Sequence, residues 1–451
     1  MIHYDNSGYD AVPQNYSYHD SVPDFVFKAA EYLDASYAML HDSLGFSTPP
    51  TDQVETPEID VYFKKDYQNY GVTWPEIQVQ PYVWTSYLTL STLLGDSTIF
   101  YTYGLNGLKV TCAHELFHVF QLGYKFRNKD LFFFEMSSVW FEEYMYPDVN
   151  DYHSYMNAYS LNWDYALNSN LGLNPYNSAG FNLYIDKRHS TPGNNMIHAI
   201  WERIPSRPAL EAIDAELLLR GSSFGQALCN WGTAQVLCGG YSAENFLYPF
   251  NDAEDLNSIG FGGFAGHVTP ALSLEFSLSA DTMTSYYKLT DLPQEALLLE
   301  AEIPEGMRAN LVCLDGGSSR VLTLGGGPVV VDGSRYSECI LVLGSTVEDA
   351  SGNVSLSAVT SPRITSLYPN PLLFGQSLSL SFILTEDNSA GVLSIIDIRG
   401  RKRLTRTLLT DDLSAGIHTL TLPAADLSSG LYILLLRTDH ALLREKFIYI
   451  K

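Results

Sequence analysis

The pentapeptide His114-Glu115-Leu116-Phe117-His118 carries the clearest chemical signature in the sequence. Histidines four residues apart share one face of an α-helix, so both imidazoles can reach a single metal ion. Neutral imidazole nitrogen suits zinc, which favours a tetrahedral site with three protein ligands and one open position. Glu115 lies one residue round the helix, where it can hold and deprotonate a water molecule. The apolar flanks Ala113, Val119 and Phe120 favour a buried helix over the alternative of two exposed surface histidines.

The next predicted helix, residues 133–145, offers a third ligand in Glu135. Glu135 follows three phenylalanines, and burying an unpaired carboxylate there is costly unless a metal ion offsets the cost. Glu142 lies two turns further along the same face and is placed to accept a hydrogen bond from a ligating histidine. The alternative is that Glu135, Glu142 and Glu143 are solvated surface carboxylates.

A short-range succession of HELFH and a glutamate-bearing helix resembles the gluzincin clan of zinc metallopeptidases. The resemblance implies zinc bound by His114, His118 and Glu135, with Glu115 as the general base. The stretches FFFEMSSVWFEEYMYP, HYDNSGYDAVP and AGFNLYIDKR are also similar to a group of secreted bacterial metalloproteases, over roughly residues 3–265. One departure from the thermolysin-like pattern is Val139, which stands where those enzymes carry an aspartate.

Metal-assisted hydrolysis of a peptide bond is the reaction that such a site implies, with Glu115 passing a proton from water to the leaving amine. The oxyanion needs a second donor besides zinc. Tyr176 is the first candidate for this donor, and Tyr184 and His189 follow; each is alternatively a packing residue. The sequence therefore predicts a zinc endopeptidase. Two alternatives stay open, namely a surface adhesion protein with an inactive protease-like domain and a zinc hydrolase of a non-peptide amide or ester.

The amino-acid composition changes along the 451 residues of the chain. All six tryptophans fall at or before Trp231, and beyond about residue 265 short Val/Leu/Ile/Ser runs are broken by Gly and Pro. We therefore expect an α+β chain with a mixed, largely helical metallopeptidase domain over residues 1–265. Two all-β, immunoglobulin-like sandwich domains should follow, over 266–360 and 361–451.

Apolar periodicity predicts the individual elements of the first domain. Helices are expected over 24–40, 108–124, 133–145, 151–167, 178–187, 194–203, 207–219 and 223–237. Strands are expected over 59–63, 82–90 and 97–103.

The last unit carries a second resemblance. The stretch Tyr368-Pro369-Asn370-Pro371 is followed by IIDIRGRKR, a loop with Gly416, a Ser-Gly-Leu-Tyr strand ending at Tyr432, and a terminal FIYIK. This order is similar to the C-terminal sorting domain that directs bacterial proteins through the type IX secretion system, over about residues 364–451. The resemblance implies the secretion machinery as a partner and a secreted or cell-surface location. The alternative is an ordinary sandwich used for adhesion or packing.

A formal net charge of −25 disfavours binding to nucleic acid or to an anionic membrane surface. No apolar run approaches the roughly 20 residues that span a bilayer. The start MIHYDNSGYDAVP lacks the basic and apolar regions of a signal peptide, so export predicts a leader that is absent from this numbering. Among the five cysteines, Cys313 and Cys339 are candidates to pair, and buried free thiols are the alternative.

Overall fold

In the computed structural model, the described residues are the whole chain except 52–57, 162, 242, 244–251, 260–265, 269–273, 279–281, 290–295, 316–317, 333–334, 348, 360, 411–412 and 424–426. These residues form both helices and sheets, which confirms the α+β class. They divide into two compact units. The first comprises Met1–Gly240, Leu247–Gly263 and Ala280–Thr284, and the second comprises Tyr241–Phe246, Phe264–Ser279 and Ser285–Lys451. Domain boundaries at 265 and 360 stay predictions.

The helices of the first unit follow most of the predicted spans. They are α1 Asp24–Ala38, α2 Gly104–Tyr124, α3 Leu131–Met145, α4 Tyr152–Tyr159, α5 Asn174–Asn177, α6 Gly180–His189, α7 Met196–Trp201, α8 Ala209–Leu219 and α9 Phe224–Val236. A short sheet accompanies them, made of β1 Ile2–His3, β2 Val61–Lys64, β3 Gly71–Gln80 and β4 Val83–Ser91. Its strand order is β1-β2-β4-β3, and β3 pairs antiparallel with β4 at the sheet edge.

Helix α2 occupies the centre of this unit because it is apolar around most of its circumference. A helix of that kind is stable only when neighbouring elements cover it on several sides. It packs against α1 and α3 and against strands β3 and β4. Its few polar side chains, including His114 and Glu115, are therefore buried and held in fixed positions.

Two of the predicted elements were wrong. The strand expected over 97–103 is a turn, because the carboxylate of Asp96 accepts hydrogen bonds from the backbone N–H and the hydroxyl of Thr98. The helix expected over 151–167 ends at Tyr159. There the hydroxyl of Ser160 donates to the backbone carbonyl of Asn157, a local bond that competes with helix continuation. No pattern in the sequence predicted strand β3.

The second unit is built from four sheets in which most neighbouring strands are antiparallel. Its strands are β5 Gly266–Val268, β6 Leu274–Leu278, β7 Met283–Leu289, β8 Ala296–Glu302, β9 Met307–Asp315, β10 Ser318–Thr323, β11 Val329–Asp332, β12 Glu338–Ser345, β13 Ala350–Val359, β14 Arg363–Tyr368, β15 Leu372–Leu373, β16 Ser377–Leu384, β17 Gly391–Asp397, β18 Lys402–Leu408, β19 Gly416–Pro423, β20 Gly430–Thr438 and β21 Leu442–Ile450. The sheet orders are β10-β9-β12-β7-β5, β11-β8-β13-β6, β14-β16-β19 and β15-β21-β20-β17-β18.

Two apolar cores organise these sheets in pairs. One core joins side chains of the first two sheets, such as Leu299 and Leu311, and the other joins side chains of the last two, such as Leu380 and Leu434. A small third cluster around Val330 and Ile383 links the two pairs. Each pair thus has the core of a two-layer sandwich, and the two pairs meet at this cluster and at an ion pair between Arg335 and Asp387.

Residues of the C-terminal resemblance have defined structural roles. The side-chain amide of Asn370 donates to the backbone carbonyl of Lys446 and its oxygen accepts from the N–H of Ile448, which ties the YPNP stretch to β21. The carboxylate of Asp397 accepts from the backbone N–H groups of Arg399 and Arg401 and so closes the turn between β17 and β18. Both motifs therefore stabilise turns next to strands of the last sheet.

All five cysteines are buried free thiols in the structure. Cys313 and Cys339 lie directly opposite each other on β9 and β12, so the pair considered from the sequence is adjacent but is not joined by a disulfide. Among the described residues, no helix combines the length and apolarity that crossing a bilayer requires.

Candidate metal centre

Helices α2 and α3 bring the three predicted ligands together. The Nε2 atoms of His114 and His118 lie 3.0 Å apart. The Oε2 atom of Glu135 lies 3.2 Å from Nε2 of His114 and 3.3 Å from Nε2 of His118. Three potential ligand atoms thus form a nearly equilateral triangle at the contact between the two helices.

The size of this triangle fits a zinc ion. Ligand bonds of about 2.0–2.1 Å in a tetrahedral site place the ligand atoms about 3.3 Å from one another. The three observed separations are equal to this spacing or up to 0.3 Å shorter. Two imidazoles and one carboxylate are also a donor set that suits zinc and leaves one position open.

Hydrogen bonds on the far side of each imidazole orient its lone pair toward the triangle. Nδ1 of His114 lies 2.6 Å from Oε1 of Glu142, which accepts its hydrogen. Nδ1 of His118 lies 2.7 Å from Oε1 of Gln121. The amide of Gln121 is fixed because its Nε2 donates to the backbone carbonyl of Phe134. In this tautomer both Nε2 atoms would turn a lone pair toward the Glu135 carboxylate, an arrangement that suits a cation between them.

The pKa shifts in the cluster are also in the directions that favour a positive charge among these residues. Burial lowers the pKa of His114, but its hydrogen bonds to Glu135 and Glu142 outweigh burial and raise the pKa well above 6.5. Burial by itself would raise the pKa of Glu135. The opposing effects of His118 and His114 are larger, so the net pKa lies below the ordinary range of a glutamate. Burial raises the pKa of Glu142 to about 7, against the opposing effect of His114. These shifts favour a protonated His114 beside an ionised Glu135 in the metal-free protein.

Strand β3 positions Glu115. The hydroxyl of Thr73 lies 2.7 Å from Oε2 of Glu115 and 2.9 Å from its backbone oxygen. Gly71 permits this approach, because a Cβ atom there would lie 2.8 Å from Cγ of Glu115 and 2.8 Å from the backbone oxygen of Thr89. The carboxylate predicted to be the general base is therefore held between α2 and an edge strand.

Tyr176 lies at this site, and the two other candidate oxyanion donors do not. Its ring stacks parallel to the ring of His114 with the centroids 5.8 Å apart, and its hydroxyl hydrogen-bonds the carboxylate of Glu135. Tyr184 and His189 instead line a separate cavity with Arg220. The structure thus groups Tyr176 with Glu115, His114, His118 and Glu135.

Two polar residues of the site were missed by the sequence reasoning. Gln121 is fully buried one turn after His118, and a polar side chain on such an apolar helix was a signal that could have identified it. Thr73 precedes Glu115 by 42 residues and follows no helical spacing, so nothing local pointed to it.

No family model matches the chain, and no curated protein matches it. Parts of solved structures do match at low similarity. The glycoside hydrolase domain of Endo-D from Streptococcus pneumoniae R6 is 12% identical with a TM-score of 0.14, over 39% of this chain and 33% of that one. A calcium-binding mutant of Bacteroides uniformis β-glucuronidase 2 is 12% identical with a TM-score of 0.16, over 37% and 26%. The BSP domain of a biofilm associated protein is 9% identical with a TM-score of 0.16, over 35% and 45%.

The chain therefore spans less than half the length of each of these structures. Similarities of this size indicate neither a shared fold nor a shared activity, and the function has to be inferred from the site itself.

Proposed function

We propose that the protein is an exported zinc-dependent endopeptidase of gluzincin type. The observation that carries the proposal is the convergence of His114, His118 and Glu135 within 3.0–3.3 Å of one another, with Glu115 beside them. The hydrogen bond from Thr73 to Glu115 favours an active hydrolase over an inactive binding protein, because a scaffold without catalysis has no need of a positioned base.

Zinc bound by these three residues would supply Lewis acidity, which activates water and polarises a carbonyl group. Glu115 accepts the proton of the attacking water at its carboxylate and returns it to the nitrogen of the leaving amine. Tyr176 lies against His114, and its hydroxyl, which bonds Glu135 in the metal-free protein, would donate to the carbonyl oxygen as negative charge develops there once zinc holds that carboxylate. Glu142 and Gln121 keep the two histidines in the tautomer that presents Nε2.

The edge of β3 favours a peptide over a small ester or amide as substrate. Among the described residues, β4 is the one strand that pairs with β3, so the opposite edge of β3 presents unpaired backbone groups. An extended peptide can add to such an edge through main-chain hydrogen bonds. Because Thr73 on β3 contacts Glu115, a peptide bound there would pass close to the general base.

Export is proposed from the C-terminal sandwich. Asn370 and Asp397 stabilise the turns that belong to the sorting-domain resemblance. The C-terminal sandwich has an apolar core of its own, which is compatible with a module that can be carried by different proteins. The expected partner is the type IX secretion machinery, and the expected location is the cell surface or the medium.

Cleavage of a broad peptide library by the wild-type protein and by Glu115→Gln tests the proposed activity. The wild type should cleave peptides, and Glu115→Gln should lose about 10²–10⁴-fold in rate while keeping its zinc and its fold. Activity of Glu115→Gln within tenfold of wild type would contradict the role of Glu115. Hydrolysis of esters or non-peptide amides with no peptide cleavage would instead favour the alternative hydrolase.

A further inference from the structure

Beside the metal centre lies a cavity of about 380 Å³ whose lining includes His114, Glu115 and Tyr176. Tyr70, Phe100 and Tyr155 are among the aromatic residues of its walls. A group bound in this cavity would therefore adjoin the reacting bond, in the position of a side chain next to the bond that is cleaved.

Two buried carboxylates face the same cavity. Asp151 is 6% exposed and Glu142 is 5% exposed. Thr102 and Tyr155 hydrogen-bond Asp151. Oε1 of Glu142 bonds His114, but its Oε2 has no hydrogen-bond partner among the described residues. Oε2 of Glu142 has almost no accessible surface, so Asp151 is the carboxylate of this pair that a molecule in the cavity could approach.

No lysine or arginine is among the described residues that line this cavity. Buried carboxylates of this kind are stable when a cation pairs with them, and leaving them unpaired is costly. Glu142 already pairs with His114 through Oε1, whereas the hydrogen bonds to Asp151 come from Thr102 and Tyr155, which carry no charge. A cationic group bound in the cavity would pair with Asp151.

We propose that this cavity is a specificity pocket for a lysine or arginine side chain of the substrate, with Asp151 as the residue that selects the positive charge. The inference rests on the proposed endopeptidase function. Aromatic walls match the methylene stem of such a side chain and stack on its cationic head. Asp151 accepts hydrogen bonds from the ammonium or guanidinium group. A neutral side chain of the same length gains the wall contacts but leaves Asp151 without a cationic partner.

The test compares peptides that differ at one residue beside the cleaved bond, placed on each side in turn. The decisive pair carries lysine or norleucine, which have stems of equal length and differ in charge. Wild-type kcat/KM should favour lysine at one of the two positions by at least about 30-fold. This factor is the lower end of the range of effects seen when a buried charge pair loses one partner. Arginine should behave like lysine, and glutamate should be the poorest residue.

Asp151→Asn assigns the preference to this cavity, because asparagine keeps the size and the acceptor for Thr102 and Tyr155 but removes the charge. The ratio of lysine to norleucine should fall to within about threefold. Asp148→Asn is the matched control, since Asp148 is an exposed carboxylate three residues away that does not line the cavity, and it should keep the wild-type ratio.

Each outcome bears on a different claim. Equal cleavage of lysine and norleucine peptides by the wild type overturns the specificity pocket and leaves the endopeptidase in place. A lysine preference that survives in Asp151→Asn overturns the role of Asp151. Absence of cleavage of every peptide by the zinc-loaded wild type overturns the endopeptidase function and this inference with it.

Discussion

Nδ1 of His114, on α2, lies 2.6 Å from Oε1 of Glu142, on α3. Glu142 follows Glu135 by two turns of α3. One helix, α3, therefore supplies both a carboxylate that faces the metal position and a carboxylate that orients one of the histidines. This arrangement explains why His114 presents Nε2 to the cluster, and it makes Glu142 a positioning residue with a measurable effect on metal binding.

Glu142→Gln should weaken zinc binding about tenfold, because glutamine can still accept the hydrogen of Nδ1 but removes the negative charge that makes the imidazole a better donor to the metal. Competition with a zinc-chelating dye measures the dissociation constant. Glu143→Gln is the control, since Glu143 is the adjacent carboxylate and, among the described residues, the carboxylates that bond His114 are Glu142 and Glu135. An unchanged dissociation constant in Glu142→Gln would show that this hydrogen bond does not tune the site.

Thr73→Val should reduce kcat about 10–100-fold with zinc content unchanged, because valine has nearly the shape of threonine but cannot donate a hydrogen bond to the Glu115 carboxylate. Thr73→Ser restores the hydroxyl and should recover most of the activity. Steady-state kinetics on one peptide substrate distinguish the two variants. Equal loss in both would mean that Thr73 acts through packing and not through its hydroxyl.

Zinc binding at pH 7 should release about one proton from the protein. The pKa of His114 is raised in the metal-free protein because Glu135 and Glu142 outweigh burial, so the imidazole is protonated there at neutral pH. Zinc binds the neutral imidazole, and the proton must leave. Zinc affinity should therefore fall as the pH falls.

Calorimetric titration in buffers of different ionisation enthalpy counts the released protons. A heat of binding that is the same in every buffer at pH 7 would show that His114 is already neutral, which contradicts the electrostatics described above.

The sequence could predict how residues on the same helix are placed relative to one another. The i,i+4 spacing of His114 and His118 and the two-turn spacing of Glu135 and Glu142 depend only on helix geometry, and the structure places each pair on one helix face. Thr73 and Asp151 reach the site through the packing of β3 and the start of α4 against α2, which no local pattern encodes. The turn at 97–103 was missed because apolar alternation outweighed the capping by Asp96.

Deletion of residues 364–451 should leave peptide hydrolysis close to normal when the protein is produced in a heterologous cytoplasm. Every proposed catalytic residue precedes residue 190, and the contacts with the preceding sandwich include the cluster around Val330 and Ile383 and the ion pair between Arg335 and Asp387. In the native host, the truncated protein should stay in the periplasm. Cell fractionation and an activity assay measure the two effects.

Fusion of residues 364–451 to an unrelated periplasmic reporter is the complementary experiment. The reporter should reach the cell surface or the medium. A reporter that stays periplasmic, together with a truncated enzyme that is still exported, would contradict the sorting function and favour a sandwich used for binding.

Zinc content of the purified protein, compared with that of His118→Ala, tests the central claim most directly. Elemental analysis of wild-type protein prepared without added metal should give about one zinc per chain, and His118→Ala should lose most of it because one of the three ligand atoms is gone. Full zinc occupancy in His118→Ala, or a wild-type protein that binds no zinc when the ion is supplied, would contradict the assignment of His114, His118 and Glu135 as a metal centre.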